Sequence, residues 1–164
     1  MPKLEKYHPI LTPNYTFDWL TKSRVKDVFT LTEQTQPTAQ PTILSTADEI
    51  NQTMRDIFHD KKLIWGITDR KTDQLIGRVG FDPLDLDNHT ATLTVTLLPA
   101  QQQIAILTEI YERLVAFGRQ ELALTTLTVA LPQADPQLTD LLTTLKFTKV
   151  TTTTFTLNNW FCFI

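Results

Sequence analysis

Cysteine, glycine and net charge are all scarce in this chain, and each scarcity removes a class of function. The one cysteine, Cys162, leaves no internal disulfide to form, and His8, His59, His89 and Cys162 fall at no spacing that would close a tetrahedral zinc site. No metal is expected. Four glycines, at 66, 77, 80 and 118, leave little with which to build a glycine-rich phosphate loop. Lys and Arg number 15 against 18 Asp and Glu, a formal net charge of -3, so no broad field draws the chain to nucleic acid or to an anionic membrane. No apolar stretch is long enough to span a bilayer, and residues 1–6 lack the apolar run of a signal peptide. The expected setting is the cytoplasm.

What the chain does have is core material: 41% of its 164 residues are hydrophobic and 20% charged, which suits one globular domain over 1–164. Tyr15, Phe17 and Trp19 alternate, so residues 11–19 read as a first strand. Val25, Val28 and Phe29 have helical spacing, and the polar stretch 32–41 with its two prolines reads as the exposed loop that follows. Thr46 and Glu49 make a capping-box pattern that predicts a second helix, with Ile50, Met54, Ile57 and Phe58 on one face, up to about His59. Residues 63–68 and 75–81 around a polar turn predict a hairpin. An acidic loop, 82–89, then leads to a strand at 90–97, where Ala91, Leu93, Val95 and Leu97 alternate with threonines. The spacing of Leu107, Ile110, Tyr111, Leu114 and Val115 predicts the longest helix, with Gly118 as its stop. A strand at 126–131, a helix at 136–145 and a strand at 149–157 follow, and the turn at Asn158 and Asn159 opens a last strand at 160–164. That last strand, with Phe161, Phe163 and Ile164, is free to pair internally or with a second copy in a homodimer.

Three stretches in this order resemble the GNAT N-acetyltransferase family, in particular the branch that includes the ribosomal-protein N-terminal alanine acetyltransferases, across nearly the whole chain. Ile76-Gly77-Arg78-Val79-Gly80 resembles its "IG-x-x-G" strand. Leu97-Leu98-Pro99, then Thr108-Glu109 and Phe117, has the spacing of its strand, proline, loop and helix, and Leu141-Leu142-Thr143-Thr144-Leu145-Lys146-Phe147 resembles the segment closing its last helix. The resemblance implies an α/β (α+β) fold, a mostly antiparallel twisted sheet of about seven strands with helices on both faces. It also implies direct transfer of acetyl from acetyl-CoA to a primary amine, of a protein N-terminus or a small molecule.

Carried over residue by residue, the resemblance gives Leu97 and Leu98 backbone contacts to pantetheine. It makes Gln102, Gln103, Ile104, Ala105, Ile106, Leu107 and Thr108 the pyrophosphate loop and helix start, where unpaired amides and the helix dipole favour an anion. Ala105 stands where the family has glycine and Leu107 where it has a small residue, and no Lys or Arg lies within 101–107. Two readings stay open there, a cofactor loop and a plain helix N-terminus. Asp135 takes the place of an asparagine near the cofactor path, and it also suits the N-cap of the helix at Pro136.

Removing the acceptor's proton needs a base. The family's glutamate position holds Thr92, which cannot serve, and the nearest titratable groups are Asp85, Asp87 and His89 in the acidic loop. An imidazole ordinarily titrates at ~6.5, close to working pH, which makes His89 the candidate base. Asp82, Asp85 and Asp87 become candidates for attracting a cationic acceptor, an ammonium or a polyamine, the alternative for these acids and His89 being a solvated loop. Tyr111 reads as core packing. The competing reading of the whole chain is a GNAT-fold binding or scaffold protein that no longer uses acetyl-CoA.

Overall fold

The computed structural model describes residues 3–158. Fifteen short and long elements include eight strands and four α-helices: β1 (Ile10–Leu11), β2 (Tyr15–Asp18), α1 (Val25–Thr35), α2 (Ile43–Phe58), β3 (Leu63–Asp69), β4 (Leu75–Asp85), β5 (Thr90–Leu97), α3 (Ile104–Gln120), β6 (Thr126–Ala130), α4 (Pro136–Thr144), β7 (Thr148–Lys149) and β8 (Thr154–Asn158), with three 3-10 turns between them. The strands form a single sheet in the order β1-β2-β3-β4-β5-β6-β8-β7. Every neighbouring pair is antiparallel except β5 with β6, which run parallel because α3 carries the chain back across the sheet between them.

Alternation along the strands sends side chains to two cores. On one face Trp65, Phe81, Leu93, Val129 and Phe155 meet Ile110, Leu114 and Phe117 of α3 and Leu142 of α4. The rings of Phe81 and Tyr7 lie 6.0 and 5.0 Å from that of Phe117, and Trp65 stands edge-on to it at 5.2 Å. Burying each such side chain contributes about 1.5–3 kcal/mol. On the opposite face Ile64 and Leu75 meet Val28 and Leu31 of α1 and Ile50 of α2.

Several expected boundaries move, each for a local reason. Helix α1 runs on through 32–35 because Leu31 and Thr32 are buried, and the hydroxyls of Thr32 and Thr35 find acceptors in the carbonyls of Val28 and Leu31. Helix α2 begins at Ile43 rather than after Thr46. Its capping box is Thr42 with Ser45, whose amide donates to Thr42 Oγ1 at 3.0 Å, while Thr46 is buried inside the first turns. That leaves Glu49 free to reach elsewhere. Strand β4 extends through a bulge between Phe81 and Leu84 to Asp85, taking half of the expected acidic loop into the sheet.

Gly118 does not stop α3, which continues to Gln120; a Cβ there would lie 3.2 Å from Phe81 and 3.3 Å from Leu124, so the glycine is a packing site. The expected strand at 149–157 divides into β7 and β8, since Thr151 Oγ1 accepts from the amides of Thr153 and Thr154 and turns the chain. Asn158 pairs with Thr126 at the end of β8, and the expected last strand at 160–164 lies outside the described residues. Among the described residues no helix is long and apolar enough to cross a membrane, and no group of three or more potential ligands could hold a metal ion.

Candidate active site

β5 is paired on both sides for only half its length. Residues 90–93 bond in register to β6, from Thr90 opposite Thr126 to Leu93 opposite Val129, and there the two strands part. β6 turns away with β8, whereas 94–97 stay with β4 alone. On the open side, alternate backbone N–H and C=O groups of 94–97 have no strand to pair with. The gap is a cleft of about 560 Å³. Its walls are β5 from Thr92 to Leu97, the end of β6 and the residues after it up to 133, the C-terminal end of α1, and Leu107 and Tyr111 of α3.

The helix that starts beside this cleft is uncapped. Gln103 is the N-cap of α3 but makes no side-chain cap; its amide group donates instead to the Ala100 carbonyl. The first amides of a 17-residue helix therefore lack a side-chain acceptor at an exposed loop, where backbone donors and the dipole favour a negative group. Helix α4 offers the contrast, because Asp135 Oδ1 accepts from the Leu138 amide at 3.1 Å and Pro136 occupies its first position.

The expected cofactor residues divide accordingly. Leu97, Gln102, Leu107 and Asp135 line the cleft. Leu98 does not offer its amide, which donates to the Ile76 carbonyl at 2.8 Å. Gln102 Nε2 donates to the Leu97 carbonyl at 3.1 Å, so one of that acceptor's two lone pairs already has a partner. Gln103, Ile104, Ala105 and Ile106 form the exposed or half-exposed start of α3, and the Thr108 hydroxyl turns back to the Ile104 carbonyl. Leu107 is half-buried; it neither fills the cleft nor leaves it, but packs on the core and forms part of the wall.

The expected base and two of the three expected acceptor acids lie elsewhere. His89 sits in the turn before β5 with φ 60, exposed, and is not part of the cleft wall; its carbonyl accepts from the Thr125 amide. Five Cα steps, about 17 Å along an extended chain, separate it from Thr94, where the strands have parted, and three from Thr92, the first β5 residue of the cleft wall. Asp85 and Asp87 border a separate surface depression with His59 and Lys61. The Asp85 carboxyl is held below the usual range by its hydrogen bonds from Asn88, with smaller help from His89, and it acts as the cap of its own turn. The turn is closed by local hydrogen bonds, which is why these groups face away from the cleft.

Asp82, the third of the expected acceptor acids, and Tyr111, expected only as core, do face it. Asp82 lies within the bulge of β4, where the irregular register swings it to the cleft, with its carboxylate 3.3 Å from Lys62 Nζ. Gly80 two residues earlier has φ 154, and a Cβ there would sit 2.0 Å from the Leu63 carbonyl oxygen, so only glycine allows this close approach of β3 and β4 beside the bulge. Tyr111 is both core and wall: its ring is buried, yet it lines the cleft, and among the described residues no hydrogen bond engages its hydroxyl. Burial, with the charge of Asp135 adding to it, pushes its phenol far above the ordinary tyrosine range. At neutral pH it stays protonated and keeps a proton to donate.

Beneath the cleft, α3 is tied to the segment before β2. Glu109 accepts from the Thr12 hydroxyl and from both the amide and the side chain of Asn14, at 2.9 and 2.7 Å for the latter two. Burial alone would raise its carboxyl, but those hydrogen bonds prevail and hold it below the usual range.

A strand parting from its parallel neighbour beside an uncapped helix start is the arrangement of the acetyltransferases, and the sequence agrees. The chain belongs to the acetyltransferase (GNAT) domain family, whose pattern it matches over residues 13–148. No curated protein matches it in sequence. Among solved structures it is similar to a candidate ribosomal-protein-serine acetyltransferase from Vibrio cholerae, with a TM-score of 0.76 at 16% identity over 97% of this chain and 99% of that one. It is also similar to the microcin C7 self immunity acetyltransferase MccE in complex with acetyl-CoA and AMP (TM-score 0.74, 16% identity, 90% and 94% covered). A third is the ribosomal-protein-S5-alanine acetyltransferase from Vibrio fischeri (TM-score 0.71, 13% identity, 93% and 97% covered). At such identities the likeness shows the fold, which is the GNAT fold.

Proposed function

We propose that the protein is an N-acetyltransferase that passes an acetyl group from acetyl-CoA directly to a primary amine. The observation that carries this reading is the open half of β5, where backbone groups of 94–97 have no partner strand and lead to the uncapped start of α3. Backbone of 94–97 would hold the pantetheine arm as an added strand, and the amides of Ile104, Ala105 and Ile106 would hold the pyrophosphate. When bound, acetyl-CoA supplies a thioester whose C–S bond breaks as the amine nitrogen bonds to the acetyl carbon.

The chain's own part is to hold the amine and manage its protons. Asp82 attracts the acceptor ammonium and takes its proton, directly or through water, in place of His89. Tyr111 presents a retained phenolic proton to the cleft. Leu107, Val95 and Leu131 keep the wall between them apolar.

A second reading, a GNAT-fold binding protein that does not use acetyl-CoA, is favoured by one feature: Gln102 already engages one lone pair of the Leu97 carbonyl at the mouth of the cleft. Calorimetric and thermal titration with acetyl-CoA separates the two. A ligand at ~100-fold over its dissociation constant adds about 2.7 kcal/mol and raises the midpoint by several degrees. No heat and no shift at millimolar acetyl-CoA would remove the enzyme reading and leave the second.

A further inference from the structure

The cleft does not end at the sheet. Gln36, Asp82, Thr94 and Thr96 are shared between it and a second cavity of about 230 Å³ on the α1 and α2 side. Its floor is β4 and β5, where Arg78 lies opposite Thr96 on the same face, and its wall is α2, which contributes Glu49 and Thr53. Four charged groups line it. Arg78 pairs with Glu49 at 2.6 Å, and Lys62 pairs with Asp82 at 3.3 Å; Lys62 also reaches Asp56 of α2 at 3.7 Å.

We propose that the acceptor is a small amine that also carries an anionic group, its ammonium meeting Asp82 and its anionic end meeting Arg78. The proposal rests on the acetyltransferase reading and concerns the class of acceptor. Its basis is the balance of charge. Both carboxylates of the lining are already engaged by resident cations, so a polyamine entering here meets Lys62 and Arg78 with no unpaired acid to receive it.

A molecule of mixed charge instead exchanges pair for pair. Its anionic group takes the place of Glu49 at Arg78, and its ammonium takes the place of Lys62 at Asp82. The displaced ends have somewhere to go, since the Glu49 side chain is 47% exposed and Lys62 retains Asp56. Arg78 is held more firmly, with only 16% of its side chain exposed, and it suits a carboxylate or phosphate because its guanidinium presents a fixed fork of donors.

The experiment measures thiol release from acetyl-CoA, with product masses, over glycine, β-alanine, glycylglycine and glycylaspartate, the amides of the first three, and spermidine. Calorimetry with acetyl-CoA alone runs in parallel. The free acids are expected to exceed their amides by roughly tenfold or more in kcat/KM, and spermidine to be poorest. Arg78→Gln should erase the preference for the acids, and Glu49→Gln, which frees Arg78, should strengthen it. These opposite directions distinguish recognition from a folding defect.

Equal or better acetylation of the amides or of spermidine overturns the proposal. So does acetyl-CoA binding in the calorimeter without acetylation of any acid in the panel, an outcome that leaves the acetyltransferase reading standing. If acetyl-CoA gives no heat, both fall together, and the calorimetry identifies the parent reading as the cause.

Discussion

The two halves of β5 have the same sequence character and opposite fates. Residues 90–93 and 94–97 both alternate threonine with an apolar residue, both pair with β4, and both send Leu or Val to the α3 side. The first half is closed by β6 and leads back to a turn that satisfies itself; the second is open along one edge and faces a cleft. Side-chain pattern sets which face is buried, whereas the divergence of a neighbouring strand sets where backbone becomes available for a ligand. Function follows the second. Of the titratable groups near the closed half, Asp85 is spent on a turn and Asp87 and His89 lie outside the cleft, while Asp82, only three residues from Asp85, is carried by a bulge to the open half.

Four substitutions sharpen this contrast, and a fifth attempts to break it. The largest effect is expected at Asp82: in Asp82→Asn, kcat should fall by roughly 10²–10⁴ while acetyl-CoA affinity, measured by calorimetry, stays put. An unchanged kcat would return the proton-accepting role to another group. Tyr111→Phe removes only a hydroxyl from a buried ring and should lower kcat by up to about 10², with the melting temperature nearly unchanged. Equal loss of stability and turnover would make Tyr111 a packing residue alone.

Glu109 tests how the cleft-side helix is held. Its carboxyl titrates below the ordinary ~4.3 in the folded protein, so the stability it contributes is complete above that pH and is lost as pH falls through the folded value. Glu109→Gln should cost about 1 kcal/mol at pH 7 and flatten the acid limb of the stability profile below pH ~4.3, as followed by denaturant melts. An unaltered acid limb would mean that Thr12 and Asn14 do not hold the charge. Leu107→Gly, which clears part of the cleft wall, should tighten acetyl-CoA a few-fold in calorimetry; weaker binding in a folded variant would show that the leucine supports the site.

The smallest effect tries to break the contrast. His89 has φ 60, which asparagine tolerates, so His89→Asn leaves the turn intact. Its turnover should stay within about twofold of the parent. A large loss would show that the closed end of β5 takes part after all.

How far the sequence led depends on whether the deciding interaction was local. The bounds of β5 and the Asp135 cap of α4 were legible because alternation, proline and a capping side chain act within a few residues. The long reach of α3 was legible too, but not its end, since Gly118 looks like a stop until Phe81, from a different strand, is seen packed against it. The start of α2 was misplaced because Thr42 with Ser45 and Thr46 with Glu49 are both plausible boxes four residues apart. Choosing between them required knowing that Thr46 is buried and that Glu49 is needed by Arg78.

The site was less legible than the fold for the same reason. Leu97, Gln102, Leu107 and Asp135 were found through their place in the resemblance. Asp82 is legible as one of three acids suited to a cationic acceptor, but not as the one of them that faces the cleft, because its direction depends on a bulge. Tyr111 was read as core, which it is; that its hydroxyl also borders a cleft depends on where β6 parts from β5.

The two glycines of β4 bear on how this protein could be redesigned. A side-chain carbon at Gly80, which lies between Ile64 and Thr94 of the acceptor cavity, would come within 2.0 Å of the Leu63 carbonyl oxygen. One at Gly77, on the other face of the sheet, would come within 2.4 Å of the Thr96 carbonyl oxygen, so the strand beneath the acceptor cavity cannot be rebuilt at either. The cavity's wall can. Glu49, about half exposed, lies on a helix whose core contacts come from Ile50 and Ile57. An engineer wishing to admit a different amine would therefore diversify α2 at Glu49 and Asp56 and leave the strand untouched, exchanging the selectivity of the pocket without disturbing the sheet that holds it.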